Sequence, residues 1–95
     1  MINTKTELIR LIHTYAPGCK IMLFGSRARG SHADGADFDI AIDAGSKLPH
    51  TTMLQISNAI EESNIPVRVD IIDLHNVSER FLTAIKKDLI IWAQN

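Results

Sequence analysis

Gly25-Ser26 precedes Asp37-Phe38-Asp39 with ten residues between them. Residues i and i+2 of a strand point to one face. The carboxylates of Asp37 and Asp39 are therefore expected about 6–7 Å apart along a strand, where like charges repel unless a cation lies between them. A hard ion such as Mg²⁺ takes few protein carboxylates and completes its shell with water and substrate phosphates. A Gly-Ser turn that opens a helix offers free N–H groups, a close backbone approach and a hydroxyl donor to phosphate. The two features together predict a metal and nucleotide site, and an enzyme that moves a nucleotidyl group. Arg27 and Arg29 add positive charge beside the turn.

Asp70 interrupts an apolar run, Val69-Asp70-Ile71-Ile72. A carboxylate in a strand that otherwise reads as buried contributes little to stability. If that strand neighbours the one carrying Asp37 and Asp39, three carboxylates converge, the ligand set for two metal ions clamping an in-line displacement at phosphorus.

The elements that must position these groups are legible from periodicity. Thr4-x-x-Glu7 has capping-box spacing, and Leu8, Ile9, Leu11, Ile12 and Tyr15 continue a helical period that Pro17-Gly18 ends. Lys20 to Phe24 reads as a buried strand. Residues 25–30 read as a turn opening a short helix, and residues 31–35 as a polar loop. Asp37 to Asp43 alternates, with Phe38, Ile40 and Ile42 on one face and Asp37, Asp39, Ala41 and Asp43 on an open acidic one. A helix is predicted over 50–63 and a third strand over Val67 to Leu74, followed by a helix starting near Asn76-x-x-Glu79. Leu89-Ile90-Ile91-Trp92 either continues that helix or forms a short edge strand, as core or as an interface. The order α-β-α-β-α-β-α predicts a compact α/β fold, a small mixed sheet flanked by helices.

Ninety-five residues, 45% of them hydrophobic, suit a single domain over 1–95. A net charge of −1 lacks the basic footprint of a nucleic-acid-coating surface, so nucleic acid is not expected as a direct substrate. The single cysteine, Cys19, excludes an intrachain disulfide and suits a reducing compartment. Neither a secretory leader nor a membrane span is read in the sequence, and a cytoplasmic protein is expected.

The stretch Leu23-Phe24-Gly25-Ser26-Arg27-Ala28-Arg29-Gly30, then Asp37-Phe38-Asp39-Ile40, then Val69-Asp70-Ile71-Ile72, resembles the DNA polymerase beta-like nucleotidyltransferase superfamily. Within it the chain is similar to the minimal nucleotidyltransferases (MNT), often partnered with HEPN-domain proteins in toxin–antitoxin pairs. The resemblance spans essentially the whole chain and implies a compact nucleotidyltransferase fold. It implies that Gly25 and Ser26, with Arg27 and Arg29 nearby, hold the triphosphate of ATP. It further implies that Asp37 and Asp39 bind Mg²⁺, and that Asp70 binds a second ion or helps to deprotonate the attacking hydroxyl. The implied reaction transfers AMP from ATP to a protein, and the implied role is antitoxin to a HEPN partner. Ala36 departs from the serine common in the family before the first aspartate. No acceptor-binding domain of the kind found in larger antibiotic-modifying relatives is read in the chain, so the acceptor is expected on another molecule, or across a homo- or hetero-oligomeric contact.

Other readings stand beside these. A binding module would neutralise a HEPN partner by complex formation alone, and a small-molecule transferase would need a pocket the sequence does not display. Asp37 and Asp39 can be solvated edge residues, Asp70 can pair with Arg68, and Arg27 and Arg29 can serve as helix ion pairs. Asp73 reads as a loop or cap carboxylate, Asp43 and His13 as surface, and Cys19 as packed. His13, His32, His50 and His75 lack metal-ligand spacing.

Overall fold

The computed structural model describes residues 3–94. Helix α1, Thr4–Tyr15, starts one residue earlier than the capping-box spacing predicts. Asn3 is the cap, its Oδ1 accepting from Thr6 N at 3.1 Å, while Glu7 turns outward to pair with Arg10. The helix buries Leu8, Leu11 and Ile12 and ends at Ala16, just before Pro17-Gly18. The strand β1, Lys20–Phe24, then runs into the short helix α2, Gly25–Arg29, without an intervening loop.

Strand β2, Phe38–Asp43, pairs antiparallel with β1, and β3, Val69–Asp73, pairs parallel with β2 across the crossover helix α3, His50–Glu61. Both strands are shorter than predicted. Asp37 stands one residue before β2, and β3 begins at Val69, although the Phe38 amide still donates to the Arg68 carbonyl at 3.0 Å. Leu74–Asn76 forms a single 3₁₀ turn. Asn76 therefore does not start the last helix; Ser78 does, its Oγ accepting from Phe81 N at 3.1 Å at the head of α4, Glu79–Lys86.

The chain then forms a fourth strand, β4, Ile90–Ala93, antiparallel to β1 with a register shift between Ile21 and Met22. The element order therefore gains a final strand. Its β-branched and aromatic run fits a half-buried pleated surface, and pairing occupies the edge that β1 would otherwise expose. Trp92 packs edge-on against Phe38, with ring centroids 5.9 Å apart, whereas Ile90 and Ile91 stay exposed. The Leu89–Trp92 run thus divides between core and surface. The mixed sheet has the order β3-β2-β1-β4.

Two cores follow from the strand alternation. Ile21, Leu23, Ile40 and Ile42 meet Leu8, Leu11, Ile12, Ile56 and Ile60 from α1 and α3. On the other face Met22, Phe24 and Ala41 pack against Ile72, Leu74, Ile85 and Leu89. Ala41 is fully buried, so the acidic face is not open along its whole length. Residues around α4 cover its middle and leave the end that bears the aspartates accessible.

Candidate active site

Gly25 begins α2 immediately after a buried strand, with φ at +76°, a conformation that strongly favours glycine. A second constraint acts on the same atom. A Cβ at Gly25 would overlap Asp39 Oδ2 and lie 3.0 Å from Asp39 Cγ and 3.2 Å from Asp39 Cβ. The cause is the register: Phe24, the preceding residue, is the cross-strand partner of Asp39. The phosphate-type turn and the acidic strand are therefore in van der Waals contact. No side chain caps α2 at Phe24, so its first-turn N–H groups, with Ser26 among them, open the helix beside the Asp39 carboxylate.

Asp39 is also the cross-strand partner of Asp70 on β3. Parallel pairing at that register puts both carboxylates on the α4 side of the sheet, together with Asp37 two residues earlier. Burial, and then the negative charges of Asp70 and Asp37, push the Asp39 carboxyl above its ordinary value, and Arg29 partly opposes them. Three carboxylates crowded on one face in this way fit a hard divalent cation by donor chemistry. Among the described residues no three His, Cys, Asp or Glu side chains stand close enough to grip a single ion as they are. The guanidinium of Arg68 spans two of the three instead, with Nη2 3.3 Å from Asp70 Oδ1 and Nε 3.9 Å from Asp37 Oδ2. The pairing of Asp70 with Arg68 and the convergence of the aspartates thus coexist in one arrangement. Arg68 and Asp70 also line a cleft of about 500 Å³ with Ser57, Ile60, Glu61 and Ile65.

Arg27 and Arg29 point in different directions. Arg27 lies 4.0 Å from the centroid of the Phe38 ring, and its Nε donates to the Ala36 carbonyl at 2.8 Å. It thereby anchors the loop ahead of Asp37 from the backbone, at the position where a serine side chain is absent. Arg29 reaches Asp88 at 3.3 Å, beyond the end of α4, while its charge still acts on Asp39.

Residues assigned elsewhere find other partners. Asp73 is buried and accepts from the amides of Leu48 at 2.8 Å and His75 at 2.9 Å, a capping role. Asp43 is not a bare surface group: it accepts from Gly45 N at 2.9 Å and pairs with His75 at 2.7 Å, and these bonds lower its carboxyl below the ordinary range. His13 is half-buried, with Nε2 2.9 Å from the Cys19 carbonyl. Cys19 is buried, and desolvation pushes its thiol up to about 11. Phe81 lies in the first turn of α4. It meets Phe24 edge-on with centroids 6.1 Å apart, which brings it beside the turn.

The family model for "Polymerase beta, Nucleotidyltransferase" matches residues 6–95. A relative from Haemophilus influenzae, named a probable protein adenylyltransferase MntA, is 29% identical over 94 residues, spanning 95% of this chain and 82% of its own. Among solved structures, a mutant toxin–antitoxin complex, MntA-HpeT, superposes with a TM-score of 0.79 at 21% identity, covering 99% of this chain and 75% of that one. A toxin–antitoxin structure with AMP-PNP gives a TM-score of 0.76 at 22% identity, covering 98% and 75%. A tri-AMPylated Shewanella oneidensis HEPN toxin in complex with MNT antitoxin gives 0.73 at 22% identity, covering 96% and 70%. At these identities the structural likeness establishes the fold. No helix among the described residues is long and apolar enough to cross a membrane.

Proposed function

The chain belongs to the polymerase beta nucleotidyltransferase family, and from that membership we propose that it transfers AMP from ATP to a protein partner, a HEPN-domain toxin whose antitoxin it is. The observation that carries this reading is the cross-strand row Phe24–Asp39–Asp70, with Gly25 packed directly on the Asp39 carboxylate. That row joins a phosphate-binding turn to a carboxylate cluster with no space for an intervening side chain. The names of a relative, a probable protein adenylyltransferase, and of a structural neighbour, an AMPylated HEPN toxin in complex with MNT antitoxin, support the acceptor class.

In this reading Gly25 and Ser26 present the first-turn N–H groups and a hydroxyl to the triphosphate. Asp37 and Asp39 would hold Mg²⁺, with Asp70 sharing a second ion. When bound, the metal neutralises phosphate charge and favours in-line displacement. Asp70 stands at the cleft side, where a carboxylate can accept the proton of an incoming hydroxyl. The acceptor oxygen bonds to the α-phosphorus, the bond to the pyrophosphate oxygen breaks, and pyrophosphate leaves. Arg29 supplies positive charge near Asp39, and Arg27 keeps the Ala36–Phe38 segment in place.

Labelled ATP, Mg²⁺ and the HEPN-domain partner provide the test. Label should enter the partner with the wild-type chain and not with Asp37→Ala or Asp39→Ala; label that enters equally with both variants contradicts the reading. Exposed Phe81, Ile90 and Ile91 favour a second reading, in which the chain neutralises the partner by covering it. Stoichiometric inhibition in EDTA without ATP would select that alternative.

A further inference from the structure

We propose that Arg68 is a built-in counter-cation of the carboxylate site, which releases Asp37 and Asp70 when a divalent cation binds. The proposal rests on the nucleotidyltransferase reading of those aspartates. The Phe38 amide holds the Arg68 carbonyl at 3.0 Å, which fixes the Arg68 backbone beside the start of β2. Arg68 precedes Asp70 by two residues, so its side chain leaves the backbone on the same face. Its guanidinium places Nη2 3.3 Å from Asp70 Oδ1 and Nε 3.9 Å from Asp37 Oδ2. A planar fork can address two carboxylates at once, whereas an ammonium is a single point.

The Arg68 side chain is 73% exposed. Ion pairs at such exposure contribute little to stability, so these hold a conformation lightly and yield to a stronger cation. The arginine relieves the repulsion between Asp37 and Asp70, and a divalent ion does the same more strongly. The two cations compete for the same oxygens, so Arg68 weakens metal binding. It also stands where the carboxylates meet the Ser57–Asp70 cleft, so its release clears that approach to Asp70.

The test is a Mn²⁺ titration followed by the electron paramagnetic resonance of the free ion, without nucleotide or partner. Two exposed pairs correspond to roughly threefold to tenfold tighter Mn²⁺ binding in Arg68→Gln. Arg68→Lys should fall between the two, since it keeps the charge and loses the fork. Arg10→Gln, an equal charge change on exposed α1, should leave the affinity at the wild-type value. Unchanged affinity in Arg68→Gln, equal tightening in Arg10→Gln, or wild-type affinity in Arg68→Lys would each overturn the proposal. If the wild-type chain binds Mn²⁺ and Asp39→Asn does not, the metal reading survives any of those results. If no form binds Mn²⁺, even with ATP present, the metal reading fails and takes this proposal with it.

Discussion

Replacing Gly25 by alanine perturbs the contact on which the site depends. Two costs arise in different places. The left-handed backbone at φ +76° costs an alanine about 1–2 kcal/mol. The added Cβ also overlaps Asp39 Oδ2 and lies 3.0 Å from Asp39 Cγ, and overpacking of this kind costs about 1–3 kcal/mol. Together they amount to about 2–5 kcal/mol, no more than the lower end of the roughly 5–14 kcal/mol expected of a chain this long, so the variant keeps a folded population. A loss of 2 kcal/mol lowers the Tm of such a domain by about 8–16 °C. The assay is a double-mutant cycle by urea denaturation, with Gly25→Ala, Asp39→Ala and both together. Removing the Asp39 carboxylate removes the overlap, so Gly25→Ala should then cost only its backbone share, a coupling of about 1 kcal/mol or more. If Gly25→Ala costs the same in both backgrounds, the backbone alone explains the glycine, and the contact between turn and carboxylate does not constrain it.

Three further outcomes follow from the titratable groups. The folded-state pKa of Asp39 is raised, so the protonated form is favoured by folding: that stability is present below the unfolded value of 3.8 and is lost as pH rises through the folded pKa. Asp39→Asn should therefore raise the urea midpoint of the metal-free protein at neutral pH, and the difference should close as pH falls below about 4; a variant less stable at pH 7 contradicts this. Asp73→Ala removes two charge-assisted amide bonds at a buried site, and denaturation should show a loss of about 2–4 kcal/mol; a loss below about 1 kcal/mol would be inconsistent. The Cys19 thiol, pushed up to about 11 and buried, should react with a disulfide reagent at pH 8 only as fast as the chain unfolds; rapid labelling of the native protein would contradict its burial.

The candidate site was legible in the sequence because its residues contradict their surroundings. Asp70 breaks an apolar run, Asp37 and Asp39 share a strand face, and Gly25 punctuates a buried strand. What periodicity does not reveal is register. Only the pairing of Phe24 with Asp39, and of Asp39 with Asp70, makes the turn and the carboxylates one site. The errors at element ends have local causes. Asn3 competes successfully with Thr4 as a cap, and Asp73 draws Leu74–Asn76 into a turn ahead of Ser78. Strand β4 was ambiguous because Ile90-Ile91-Trp92 suits either a helix face or a pleated edge, and the free side of β1 decides between them. His13 and Asp43 read as surface because their partners, the Cys19 carbonyl and His75, are brought to them by tertiary packing.

The proposed activity requires the carboxylates on one sheet face to support AMP transfer to a protein acceptor. Intact-mass spectrometry of the HEPN-domain partner, after co-expression with this chain, tests it most directly. The partner should be heavier by whole adenosine monophosphate units with the wild-type chain, and of unmodified mass with Asp37→Ala, Asp39→Ala or Asp70→Ala. A partner that is neutralised yet unmodified, or modified equally by all four forms, would contradict it.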